Sequence, residues 1–468
     1  MNKWAGLLIA VLGIGCGDDG ATPLHDGGID AEIDAGIERV TVLELPAAPI
    51  RGLDLLFVID NSHGMADKQA NLVANFPTFI DALASLPGGL PNLHLAVITT
   101  DMGTTASESE GAAPDVGVPG AGGCAGTGDG GRFVTNGAAI DGQFLSDVDV
   151  GGERVRNYTG TLAEVFSTMA AGGGTGCGFE QPLRAMRTAL DGNPVNAGFL
   201  REDALLGVVF LTDEDDCSLT THDLLGPESA LLGPLKSFRC TRFGVTCTGG
   251  GATPDQMNEI GLKTDCTPST SSPYLDPVAP YRDFLVELKG GDASRVAVTA
   301  IMGYPAPFEV ELQSEGGGTP FPALAPSCSY QGALGPEVAH PGVRMQSFLD
   351  LFPNRSRWTP ICQPDLSGGL ALFGELLRGV LGYPCLDPAE LADTDPSMLG
   401  LQYDCIAEDV LGATVTEIAP CGPGAPATCW SLEASPTVCP GPEQRTLVVT
   451  RPSTPPGGTI TRLRCVTP

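Results

Sequence analysis

Basic residues are scarce in this chain. Its 468 residues hold 25 Lys and Arg against 56 Asp and Glu, a formal net charge of −31. A field of that sign repels a phosphate backbone, so nucleic acid is a poor partner. Simple solubility accounts for the same surplus, as does exposure to divalent cations outside the cytoplasm. Long apolar runs are also missing. After the first fifteen residues no segment reaches the length that crosses a bilayer. Enzyme signatures fail in the same way: neither H-E-x-x-H nor G-x-S-x-G occurs. The five histidines, His25, His63, His94, His222 and His340, are scattered and sit in no triad context. Gly126 to Gly131 spells G-x-G-x-x-G, but no strand precedes it and no helix follows, so it reads as loop. Internal repeats and paired C-x-x-C clusters of the zinc type are absent as well. The expectation is a protein that is not an enzyme.

What is present is apolar content of 42%, enough for a core, with 63 Gly and 40 Pro that predict long irregular loops. Cysteine is abundant at 15. Met1 to Gly15 carries Lys3 and a short apolar run, as a secretory signal does, and ends at Gly15-Cys16 like a bacterial lipoprotein cleavage site. Gly13 stands where such sites prefer Leu, with Leu12 one residue early. Cys16 is therefore the expected lipidation site, and ordinary signal cleavage is the alternative. The remaining 14 cysteines fall as eight between Cys124 and Cys362 and six between Cys385 and Cys465, which predicts a disulfide framework. Connectivity does not follow from spacing; Cys240 with Cys247 is one guess.

Residues 17–45 are expected to form a flexible acidic tether, with an edge strand conceivable at its end over Val40 to Leu45. A βαβ rhythm follows. Leu53 to Ile59, Leu93 to Ile98, Ala204 to Leu211 and Val296 to Met302 are continuous apolar runs of strand length. Helical patterns lie between them: Met65 to Leu86 (with a kink or break expected at Pro77), Leu162 to Ala170, Glu180 to Leu190 and Tyr281 to Lys289. Val343 to Phe352 and Leu366 to Leu381 add two more helices around a weak strand near Trp358 to Ile361. Fully apolar strands alternating with helices predict a doubly wound α/β fold, Rossmann-like, with a mainly parallel sheet covered on both faces. Ligands of such sheets bind beyond the carboxyl ends of the strands, here at Asp60, Asp101 and Asp213. Long insertions at about 102–160, 214–278 and 303–339 carry most of the first eight cysteines, and residues 383–468 read as a small Cys-rich β module. The α/β domain spans 46–382, and residues 1–16 form the signal segment.

The first strand ends in Asp60-Asn61-Ser62-His63-Gly64-Met65, a later loop reads Gly173-Gly174-Thr175, and the third strand ends in Leu211-Thr212-Asp213. In order, spacing and context these resemble the metal-ion-dependent adhesion site of von Willebrand factor A domains, over roughly residues 50–382. The resemblance implies hydroxyl ligands from Ser62 and Thr175. Charge and outer-sphere orientation would come from Asp60 and Asp213. The ion would be Mg²⁺, with Mn²⁺ or Ca²⁺ as alternatives, and an acidic group of a protein or glycan partner would complete it. Gly64 departs from the pattern by replacing its second Ser. Water in that place leaves a weaker site; otherwise the site is vestigial. His63 is expected to face solvent, since neutral imidazole suits Mg²⁺ poorly. Glu214-Asp215-Asp216 reads either as a solvated acidic loop or as a second, calcium-type site, and Asp101 as a strand-end cap or a further crest residue. A Cys177–Cys217 bridge would stiffen the rim.

The resulting expectation is a bacterial cell-envelope lipoprotein, on the periplasmic or surface side of the outer membrane, held to the membrane by its lipid alone. It would act as an adhesion-type binding module through a divalent cation. A structural envelope protein with a dead metal site is the alternative, and a hydrolase ranks last.

Overall fold

In the computed structural model the described residues are 40–108, 111–314, 318–333, 335–394, 397, 402–436, 438–439 and 444–467. The signal segment, Cys16 and nearly all of the expected tether lie outside them. The tether expected over 17–45 runs into a strand, Val40–Pro46, so its last residues are structured.

The sheet that carries the rim is built from the apolar runs. Its strands are β1 (Gly52–Ile59), β2 (Asn92–Thr99), β3 (Leu145–Val150), β4 (Glu153–Arg156), β5 (Leu205–Leu211), β6 (Val296–Met302) and β7 (Ser356–Pro360), in the order β7-β6-β5-β1-β2-β3-β4. β7, β6, β5, β1 and β2 pair in parallel, while β3 pairs antiparallel with β2 and β4 antiparallel with β3. Both faces are covered, so alternation of side chains serves two cores rather than a core and solvent. Leu55, Phe57 and Ile59 of β1 pack beneath α1 (Ala66–Ala84), α2 (Leu162–Ala170) and α6 (Ser367–Val380). Leu56 and Val58 face α3 (Pro182–Leu190), α4 (Ala279–Glu287) and α5 (Val343–Asp350). Phe76 of α1 stacks on Phe166 of α2 with ring centroids 3.7 Å apart. The first turn of α2 is fixed by a capping box between Thr161 and Glu164. Pro77 leaves α1 unbroken: it sits on the exposed side of the helix.

The expectation of a doubly wound, mainly parallel fold of von Willebrand factor A type does not hold for this chain. Among the described residues eleven strand pairings are antiparallel and five parallel, which makes it a mixed α/β protein with eight α-helices. The stretches read as insertions supply much of the difference. β3 and β4 form a hairpin inside the first one. The other two pair with each other in a four-stranded antiparallel sheet of Phe321–Leu324, Phe308–Gln313, Gly261–Pro268 and Val245–Gly249. A third sheet of seven strands gathers the Cys-rich C-terminal residues and takes Val40–Pro46 at its edge, antiparallel to Ile460–Val466.

All 14 described cysteines are bridged: Cys124–Cys177, Cys217–Cys240, Cys247–Cys266, Cys328–Cys362, Cys385–Cys439, Cys405–Cys465 and Cys421–Cys429. The guesses Cys240–Cys247 and Cys177–Cys217 were both wrong. Cys247 instead faces Cys266 across a hairpin, and Cys177 and Cys217 hold their own loops separately. Among the described residues no helix is long and apolar enough to cross a membrane.

Candidate functional site at the strand ends

Parallel pairing of β1 with β5 brings their carboxyl ends side by side, which sets Asp60 next to Thr212 and Asp213. Asp60 is fully buried. Its Oδ1 accepts the Ser62 backbone N–H at 2.7 Å, and its Oδ2 accepts the Thr212 hydroxyl at 3.0 Å. Burial first, then the charge of Asp213, pushes its pKa up to about 7. Ser62 is buried beside it, whereas His63 is exposed. Gly64 has φ of +100°, a conformation that L side chains rarely adopt, which explains glycine where the motif calls for Ser.

The third loop is tied in by Gln69 of α1. Its amide donates to the Asp60 and Gly173 carbonyl oxygens at 2.8 Å each, and its Oε1 accepts the Gly173 N–H at 3.0 Å. Gly176 N–H donates to the Asn61 carbonyl at 2.8 Å. The three loops therefore meet, as the spacing implied. Thr175 lies on this loop but is exposed, unlike the three other residues.

A residue that sequence reasoning missed occupies the centre. The ammonium of Lys68 is 2.9 Å from Asp213 Oδ2, 2.8 Å from Glu337 Oε2 and 3.0 Å from the Gly64 carbonyl oxygen, and the side chain is almost wholly buried. Burial alone would lower its pKa, but Asp213 and Glu337 outweigh it and the net direction is upward. The signal was available: Lys68 falls on the same helical stripe as Met65, Leu72, Phe76 and Phe79, where a charged residue needs a reason. Glu337 had no such signal, because it comes from a hairpin within an insertion.

Both oxygens of Asp60, and Oδ2 of Asp213, each already accept one hydrogen bond. Gly64 supplies no hydroxyl. Among the described residues no group of three or more His, Cys, Asp or Glu is arranged to hold a metal ion. As it stands, this donor set fits an internal ammonium better than a hexacoordinate cation.

The acidic run after Asp213 is half-buried at Glu214 and Asp215 and buried at Asp216, and its carboxylates have partners within the fold. Asp215 accepts the N–H groups of Arg344 and Met345 at 2.9–3.0 Å, capping α5, and burial raises its pKa to about 6. Asp216 and Arg344 form a fully buried ion pair, 2.9 Å at its shortest. Asp101 accepts N–H groups of Gly103 and Cys177, holding the bridged loop to β2 as a structural cap.

No family model matches the sequence, and no curated protein does. Solved structures give weak likenesses. The pilus adhesin SpaC of Lactobacillus rhamnosus GG in its open conformation aligns at TM-score 0.31 and 9% identity, covering 91% of this chain and 42% of that one. The pilus adhesin RrgA of Streptococcus pneumoniae aligns at TM-score 0.24 and 10% identity, covering 92% and 58%. The human COPII-coat protein Sec24c aligns at 0.29 and 7%, covering 91% and 42%. This chain spans less than two thirds of each of them. The class that the structure itself defines is a disulfide-stapled mixed α/β protein with a lysine-centred acidic cluster at its strand ends.

Proposed function

We propose that this chain is an exported, envelope-held binding protein of adhesion type that presents the rim of its central sheet to a protein or glycan partner. The observation behind this reading is the convergence of three strand-end loops, two of them continuing into disulfide-bridged segments, on a rim preorganised by Lys68. Seven disulfides support an oxidising compartment outside the cytoplasm. Attachment through a lipid on Cys16 belongs to the same proposal. Cys16→Ala should move the protein from the membrane fraction to the soluble one, and labelled palmitate should cease to be incorporated.

In this reading Lys68 supplies the positive charge that a divalent cation would supply in the adhesion-site pattern, so binding does not depend on metal. Beads carrying the full chain, tested on a panel of immobilised proteins and glycans, should retain the same bound partners in EDTA as in Mg²⁺. Binding that vanishes in EDTA and returns with Mg²⁺ would favour the second reading. There an ion held by Asp60, Ser62, Thr175 and Asp213 displaces Lys68; the carboxyl of Asp60, which touches no cation, is the observation in its favour. Adhesion to nothing on the panel in either condition would count against both.

A further inference from the structure

Beside the rim lies a cavity of about 160 Å³, between the loop after β5, the residues around Ser237 and the hairpin of Phe308–Gln313 with Phe321–Leu324. Its lining includes Glu180, Glu214 and His340 as well as Phe238, Phe321 and Leu324. Glu180 is 1% exposed and its Oε2 is buried with no hydrogen-bond partner. A buried carboxylate oxygen with nothing to accept is costly, and native proteins rarely keep one without a use. The other acids nearby are neutralised in place: Asp216 by Arg344, Asp213 by Lys68, Asp215 by two helix N–H groups. Glu214 lies 3.7 Å from the His340 imidazole. A lining that combines acidic with aromatic and aliphatic side chains suits a ligand with a cationic head and a short apolar stem.

We infer that this cavity is a binding site for one alkylammonium group, the chemistry of a lysine side chain or a simple amine, with Glu180 and Glu214 as its counter-ions. The ammonium donates to the free oxygen of Glu180, and the stem lies against Phe238 and Phe321. Bound cation and bound proton compete for the Glu180 carboxylate. Burial first, then the charges of Glu214, Asp60 and Asp213, raise Glu180 toward the neutral form when the cavity is empty. At Glu214 burial and Asp60 act upward while the charge of His340 and hydrogen bonds with Ser237 and Glu180 act downward, and Lys236, Arg344, Asp215 and Asp216 complete the charged lining. Binding therefore weakens as pH falls. The site is independent of how the rim engages its partner, so either account can fail without the other.

The test is calorimetric titration of the full chain with n-butylammonium chloride, and with n-butanol as the neutral isostere. Saturable binding is expected for the cation alone, at least about tenfold weaker in Glu180→Gln and about tenfold weaker at pH ~5 than at pH ~8. Ala323→Leu fills the cavity without touching a carboxylate and should abolish binding as well, which covers the case where Glu180→Gln does not fold. Absence of saturable binding, equal binding of butanol, or full retention by a folded Glu180→Gln or Ala323→Leu variant would overturn the proposal. If the butylammonium arm succeeds, a lysine-containing peptide and free cadaverine separate a protein source from a soluble amine.

Discussion

One strand carries two buried aspartates at opposite ends, and they are treated differently. Asp54, near the start of β1, is fully buried and surrounded by cations. Arg201 Nε donates to its Oδ1 at 2.8 Å and the Arg201 N–H to its Oδ2 at 2.7 Å, while Lys289 stands 3.6 Å away and His94 3.8 Å away. Asp60, just beyond the other end, is equally buried yet touches no cation, and its carboxyl is pushed up to about 7. Around it Glu180 and Glu214 add further uncompensated acid, with Lys68 serving only Asp213 and Glu337. The amino end of the sheet is balanced and structural. The carboxyl end holds more acid than its internal cations satisfy, and the proposed function rests on that excess.

The largest effect should come from breaking the balanced end. Arg201→Ala leaves Asp54 buried with only the longer contact to Lys289 as counter-charge, and urea unfolding should report a loss of about 3–5 kcal/mol. Lys68→Met comes next, at about 3 kcal/mol near neutral pH. Because the pKa of Lys68 is raised above its ordinary 10.5, its contribution is fully present below that value and is lost only as alkaline titration passes the folded one. A Lys68→Met protein as stable as the unaltered chain would remove the lysine from the account.

The third prediction concerns pH. Asp60 has a folded pKa of about 7 against an ordinary 3.8, so between those values the folded state binds more protons than the unfolded one. Its contribution is present at acid pH and declines as pH rises through that window, by at most about 1.4 kcal/mol per unit. Asp215, raised to about 6, acts in the same direction. Asp60→Asn should flatten the slope of stability against pH between about 4 and 7; an unchanged slope would place the titrating group elsewhere. The smallest effect belongs to Thr175→Ala. On an exposed loop and outside the lysine cluster, it should change stability by less than about 0.5 kcal/mol, and partner binding should survive it if no metal is used.

The comparison also shows what the sequence could reveal. The strands of the central sheet were legible because unbroken apolar runs have few other uses, and their abrupt ends put Asp60 and Asp213 at one rim. The hairpins of the insertions were not legible, since short strands such as Glu153–Arg156 and Cys328–Gln331 pair across loops and show no clean alternation. Antiparallel pairing outside the central sheet was thereby underestimated, and with it the fold class. Glu337 was invisible for the same reason, whereas Lys68 was visible in principle as a charge on an apolar stripe. Glu180 stands just before α3, between Phe179 and Gln181, and nothing in that setting announces a buried carboxyl.

The central claim is that Lys68, and not a divalent ion, provides the positive charge at the strand ends. Titration of the full chain with Mn²⁺, followed by electron paramagnetic resonance of the free ion, tests it most directly when the unaltered protein is compared with Asp60→Asn. Identical Mn²⁺ uptake by the two, reflecting only diffuse attraction to an acidic surface, is the predicted result. One tightly held Mn²⁺ per chain, lost in the Asp60→Asn protein, would contradict it.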